Sequence, residues 1–141
     1  MKIINPSLLA EYRTHGRCEW CGKNCRIREP HHLWATGMGG GARLDIPINL
    51  VSLGSTQQWQ CDCHRAIHDG NILRIDLLAV VAVRENVNQD DIRAVINLLR
   101  RLDDDAPAWE IERQLQDVWE LDGPGAVLLA MKTLKAHLEA A

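Results

Sequence analysis

Cys18-Glu19-Trp20-Cys21-Gly22 places two thiols at a C-x2-C spacing with a glycine behind them. Such a knuckle brings two thiolates to one tetrahedral zinc, and the glycine relieves the turn. A second pair, Cys61-Asp62-Cys63, follows 40 residues after Cys21. Two pairs at this distance fit a four-thiolate zinc site; the plainer alternative is five buried free cysteines. Cys18, Cys21, Cys61 and Cys63 are the favoured ligands, with Cys25 in reserve for Cys61.

Two further groups could carry metal or acid–base chemistry. His31-His32 are adjacent, and in an extended segment they point to opposite faces, so one can hold an ion while the other addresses substrate. Taken alone, a surface dipeptide explains them as well. In Cys63-His64-Arg65-Ala66-Ile67-His68 the two histidines are four apart and share a helix face, so both imidazoles can reach one ion. Taken alone, this pair also fits two solvated helix histidines. It lacks the glutamate of the zinc-binding H-E-x-x-H helix.

The elements that must position these groups lie in a chain of 141 residues, enough for one ordinary domain or a compact domain with an appendage. There is no Phe, so Leu, Ile, Val and five Trp carry the core. All five cysteines and five of the six histidines precede Gly70, in a stretch rich in Gly and Trp and poor in helical periodicity. Residues 1–70 carry a net charge of +2 and residues 71–141 carry −5, together the −3 of the whole chain. That is no basic footprint, and charge alone does not suggest nucleic acid. A short helix is expected over 7–14, capped by Ser7. Helical patterning resumes near residue 71. Helices are expected over 72–85, 89–102, 107–121 and 125–140, separated by breakers such as Asp103-Asp104-Asp105-Ala106-Pro107 and Asp122-Gly123-Pro124-Gly125. The expected inward stripe of the third is Trp109, Ile111, Leu115, Val118 and Trp119; that of the fourth is Val127, Leu128, Met131, Leu134 and Leu138. The division expected is 1–72 for the cysteine–histidine domain and 73–141 for an all-helical region. No apolar run is long enough for a membrane helix, and Met1-Lys2-Ile3-Ile4-Asn5-Pro6 lacks the core of a signal peptide, so a cytoplasmic protein is expected.

Read in order, Cys18-x2-Cys21, His31-His32, the glycine loop Gly37-Met38-Gly39-Gly40-Gly41, Asn49-Leu50-Val51-Ser52-Leu53 and Cys63-His64-x3-His68-Asp69-Gly70 resemble the HNH endonuclease family in its zinc-braced phage and bacterial form. The resemblance covers about residues 16–72. It implies an α+β fold, a ββα-metal (His-Me) finger braced by structural zinc, with the helical region following. It also implies metal-dependent hydrolysis of DNA in a bacterial cytoplasm. His31, His64 and His68 would ligate one divalent ion (Mg, Mn, Ni, Co or Zn) and His32 would be the general base. Asn49, on the second strand, would hold the hairpin turn and the His32 backbone. Products would carry 5′-phosphate and 3′-hydroxyl ends. The chain departs from the family in having Gly54 where a cysteine commonly follows the second strand, with Ser55-Thr56-Gln57-Gln58-Trp59-Gln60 before Cys61. This reads as an insertion that moves the missing thiolate to Cys61. His31 stands where an acidic residue is sometimes found, which favours ions other than magnesium alone.

Around this set, Arg43 and Arg65 are the expected DNA contacts, and Arg26 and Arg28 are expected to be solvated strand residues. Trp34 and Trp59 are expected to pack over the metal finger rather than stack on bases. The glycine loop is a hairpin connection, His15 and His137 are surface histidines, and Asp103 to Asp105 form a solvated linker. The acidic tail suits packing, dimerisation or a DNA-processing partner better than DNA reading. The competing reading is a non-catalytic zinc finger that binds DNA or protein. It would keep the cysteines but has no need of His32, Asn49 and His68 together.

Overall fold

The computed structural model describes residues 1–14, 16–35, 43–55 and 61–140. The glycine loop, the stretch 56–60 with Trp59, and His15 lie outside the described residues. Among the described residues the fold is α+β, with one two-stranded sheet and several helices. Its elements are α1 (Pro6–Thr14), β1 (Arg28–His32), a 3₁₀ turn (Pro47–Asn49), β2 (Leu50–Gly54), α2 (Cys63–His68), α3 (Arg74–Glu85), α4 (Gln89–Arg101), α5 (Ala108–Asp122) and α6 (Pro124–Ala140). No helix among the described residues is long and apolar enough to cross a membrane.

The chain forms two compact units, one of Ile4–Trp34 with Asp45–Glu85, the other of Met1–Ile3, Ala35–Leu44 and Asn86–Ala141. The expected division lay at 72/73; here α3 belongs with the strands. Its buried residues Leu77, Leu78, Val81 and Ala82 form the face that meets β2 and the 3₁₀ turn.

In the first unit, β1 and β2 pair antiparallel with His31 opposite Val51 and His32 opposite Leu50. Every residue of β2 is buried, with α1, α2 and α3 all packed against it. That explains why Leu50-Val51-Ser52-Leu53 reads as an apolar run rather than an alternation. The cap of α1 is Asn5, not Ser7: its Oδ1 accepts the Leu8 N–H at 3.1 Å, and Pro6 takes the first helical position, where a missing N–H costs nothing. Glu19, inside the cysteine knuckle, ties three elements together. Its backbone N–H donates to Ser52 O at 2.9 Å, its Oε2 accepts the Ser52 N–H at 2.7 Å, and Arg84 of α3 donates Nη1 to both carboxylate oxygens at 2.8 and 2.9 Å. Arg84 also donates Nη2 to Pro47 O and lies over the Tyr12 ring. Replacing Arg84 by Met leaves a half-buried carboxylate without its counter-ion. Unfolding in urea is therefore expected to show a loss of about 2 kcal/mol, below the usual range for a fully buried pair because both groups keep some solvent.

In the second unit, α4, α5 and α6 pack on one another. Asn88 caps α4 by accepting the Asp90 N–H at 2.7 Å, and Ile92, Val95, Ile96 and Leu99 are fully buried, as the periodicity predicts. The stripes expected on the next two helices are only half right. On α5, Val118 is buried but Trp109 and Trp119 are 64% and 53% exposed. Nine steps of about 100° set Trp109 on the opposite side of the helix from Val118. On α6, Ala126, Val127, Leu129, Ala130 and Leu134 are buried, while Leu128, Met131 and Leu138 face solvent. Small Ala126 and Ala130, one turn apart, allow the close approach to α4 and α5 that a larger residue would prevent.

Candidate metal centres

The four sulfurs of Cys18, Cys21, Cys61 and Cys63 lie within 4.8 Å of one another and could hold a metal ion such as zinc. Four thiolates at about 2.3 Å from zinc stand about 3.8 Å apart, so a small contraction completes the tetrahedron. The knuckle supplies the first two: Gly22 adopts φ 74°, and its N–H donates to Cys18 O at 2.9 Å. The other two come from the start of α2 and the residues before it. Burial pushes the Cys18 thiol up, but the backbone N–H groups of Cys21, Gly54 and Trp20 aimed at its sulfur outweigh this and hold it below its ordinary value. Burial and the neighbouring Cys18 and Cys21 push Cys63 up to about 12. Thiols this close cannot all ionise by themselves, and a divalent cation relieves that repulsion.

Cys25 is buried with its sulfur bonded to that of Cys61, their Cα atoms 6.3 Å apart. Cys61 is thus the sulfur shared between two arrangements. Reduced, it completes the four-cysteine set; bonded to Cys25, it cannot serve as a thiolate. The place of Cys61 also accounts for Gly54. A Cβ built there would fall on the Cys61 Sγ and 2.6 Å from the Cys25 Sγ, so the sulfur of Cys61 fills the space a side chain at position 54 would need. Gly54→Ala is therefore expected to displace Cys61 and to weaken zinc retention by tenfold or more. A competition titration against a chromogenic chelator measures this.

β1 and α2 also bring three imidazoles together. The ring centroids of His31, His64 and His68 are 5.7, 6.2 and 4.8 Å apart, with rings turned edge to face. Imidazoles bound through nitrogen at about 2.0–2.1 Å to one ion would have centroids about 4.5–5.5 Å apart; the His64–His68 pair meets that spacing, while His31 stands farther from both. Burial, with His64, His68 and His32 alongside, pushes His31 down to about 4, and burial and His68 hold His64 below its ordinary value. Neutral imidazoles are the form that ligates metal.

His32 points away from this set. Its Nε2 lies 2.7 Å from Asp45 Oδ1; the aspartate side chain is fully buried and the imidazole 23% exposed. The other oxygen of Asp45 accepts the Asn5 N–H at 2.8 Å. Asn49 is fully buried in the 3₁₀ turn, one residue before β2, not on the strand as expected. Its amide clasps Trp34: Oδ1 accepts the Trp34 N–H at 2.8 Å and Nδ2 donates to Trp34 O at 3.1 Å. With Leu33 N–H donating to Asn49 O at 2.9 Å, this pins the chain just beyond His32.

The arginines sort differently from one another. Arg65 is exposed on α2 and pairs with Asp69 at 3.6 Å. Arg43 belongs to the other unit and is half-buried. Arg28, expected to be solvated, is buried: its Nη1 donates to Cys25 O at 2.9 Å and its Nη2 to Arg13 O at 3.4 Å, which holds the segment after the knuckle against α1. Trp34 is buried under the Arg74 guanidinium, whose Nε donates to Leu33 O at 2.8 Å. Sequence reasoning missed Asp45 and the Glu19–Arg84 pair. Both join residues far apart in the chain, and no local spacing marks them.

Compared with protein-family models, curated proteins and solved structures, the chain matches none.

Proposed function

We propose that the chain is a metal-dependent endonuclease of the HNH class that hydrolyses DNA phosphodiesters, its hairpin and α2 forming a ββα-metal finger. The observation that carries this reading is the convergence of His31, His64 and His68 from β1 and α2, with His32 on the opposite face of the same strand. In this reading His31, His64 and His68 hold one divalent ion of the Mn, Ni, Co, Zn or Mg type. When bound, that ion supplies Lewis-acid stabilisation to the phosphate and the departing 3′ oxygen. His32, with Nε2 turned to Asp45, accepts the proton of the attacking water at Nδ1. Asn49 holds Trp34 and so the chain end from which His32 is aimed. Arg65, beside the histidines on α2, is the proposed phosphate contact.

The four-cysteine cluster in this reading is structural: it braces the knuckle against β2 and α2. For the helical unit we propose a partner-binding role, with a second copy of the chain or a DNA-processing protein. The exposed Trp109, Trp119, Leu128 and Met131 support this.

The test is single-turnover cleavage of an end-labelled DNA duplex in the presence of Mn²⁺. The expected products carry 5′-phosphate and 3′-hydroxyl ends. His32→Ala is expected to slow cleavage by about 10²–10⁴-fold while leaving DNA affinity unchanged. A chain that retains zinc and binds DNA but yields no product with any ion is a non-catalytic finger, and the proposal falls.

A further inference from the structure

We infer that Asp45 is a positioning residue for His32, locking it as the Nε2–H tautomer so that Nδ1 alone presents a lone pair to the substrate side. For its kinetic consequence the inference rests on the nuclease reading above; for the tautomer it does not.

The geometry is specific. Asp45 lies just before the 3₁₀ turn, and its carboxylate is fully buried. One oxygen receives a backbone N–H from Asn5, the residue that caps α1, so the carboxylate cannot rotate freely. The other oxygen faces His32 Nε2 at 2.7 Å, within charge-assisted hydrogen-bond range. A buried carboxylate accepts hydrogen bonds and donates none, so the shared proton resides on Nε2. In a neutral imidazole the lone pair then falls on Nδ1. The backbone pairing of His32 with Leu50 fixes one end of the side chain and Asp45 fixes the other. An imidazole held at both ends is aimed before substrate arrives, which is where an oriented base gains over a free one. Asp45 touches no reacting atom in this scheme; it acts only through His32.

Asp45→Asn separates this role from a merely structural one. An asparagine can still accept the Asn5 N–H through its oxygen, which turns its NH₂ group toward His32. An NH₂ donor requires a lone pair on Nε2 and so drives the imidazole to the Nδ1–H tautomer, the wrong one for a base acting at Nδ1. Long-range ¹H–¹⁵N spectra of the zinc-loaded full chain at a pH where His32 is neutral read this directly, with the His32 signals assigned by their loss in His32→Ala. The wild-type protein is expected to show Nε2–H, and Asp45→Asn to show Nδ1–H. Cleavage by Asp45→Asn is expected to lose about 10²–10⁴-fold in kcat with KM little changed, the scale of an orienting carboxylate in other acid–base sites.

A wild-type spectrum showing His32 as Nδ1–H overturns the inference without any variant, so it stays testable even where Asp45→Asn folds poorly. Asp45→Asn that keeps both the wild-type tautomer and the wild-type kcat overturns it as well. A tautomer switch in a protein that cleaves no DNA upholds the hold of Asp45 on His32 and sinks the nuclease reading instead.

Discussion

Cys63→Ser is expected to lose zinc and, with it, the fold of the first unit. A structural zinc in a small finger contributes an apparent binding free energy of about 10–16 kcal/mol, comparable to or larger than the whole net stability of about 5–15 kcal/mol of an ordinary domain. The cluster joins the knuckle to the start of α2, and its sulfurs form a single group within 4.8 Å. Few apolar residues compensate on that side: the six residues of α2 include none that is buried. Metal analysis by mass spectrometry is expected to give one zinc per wild-type chain and far less for Cys63→Ser. Cys18→Ser, Cys21→Ser and Cys61→Ser should behave alike. Cys25→Ser is expected to keep its zinc. If instead Cys25→Ser loses the ion and Cys61→Ser retains it, the fourth ligand is Cys25. The helical unit holds none of the five cysteines and has its own core of Ile92, Val95, Ile96, Leu99 and Ala130, so its helical circular dichroism should survive in these variants.

His68→Ala is expected to abolish binding of the ion proposed for His31, His64 and His68 while leaving metal binding at the cysteine cluster and the fold untouched. His68 is exposed at the end of α2, so its removal opens no cavity. Even residues that merely support metal ligands cost about 10–100-fold in affinity or activity when removed, and a ligand itself should cost at least about 100-fold. A Co²⁺ titration followed by visible absorption, with zinc already in the cysteines, reads this. His31→Ala is expected to match it for the ion but to differ in pH dependence. Burial and the neighbouring imidazoles push His31 from the usual value down to about 4 in the folded chain. The unfolded chain therefore binds a proton on His31 between about pH 6.5 and 4 that the folded chain refuses. Stability from this group is present above about pH 6.5 and is lost progressively as pH falls through that window. Without added second-site ion, urea unfolding from pH 7 to 5.5 should show a steeper loss for wild type than for His31→Ala.

Much of this was legible along the chain because it is local. The C-x2-C knuckle with Gly22, the second cysteine pair, and the His64/His68 spacing all announce geometry that a few neighbouring residues dictate. The helices over residues 74–140 follow from periodicity, caps and breakers, and their ends agree with expectation to within two residues. What was not legible is set by partners distant in sequence. Asp45 reaches His32 across 13 residues and Glu19 meets Arg84 across 65, so neither pair leaves a pattern. Arg28 reads as a solvated strand residue because only the fold reveals the Cys25 and Arg13 carbonyls that receive it. Trp109 and Trp119 read as core because large apolar residues dominate any helical window. The buried side of α5 is chosen instead by which neighbour it meets. Composition changes near Gly70, whereas packing against β2 continues through α3.

Incubation of the zinc-loaded protein with supercoiled plasmid tests the central claim most directly, first in EDTA at a level that spares the cysteine site and then with Mg²⁺, Mn²⁺, Ni²⁺, Co²⁺ or Zn²⁺. The account predicts an intact plasmid in the chelator and nicked or linear plasmid with at least one of these ions, in wild type but not in His32→Ala or His68→Ala. Plasmid left supercoiled by every ion, or cut equally by His32→Ala, would contradict it.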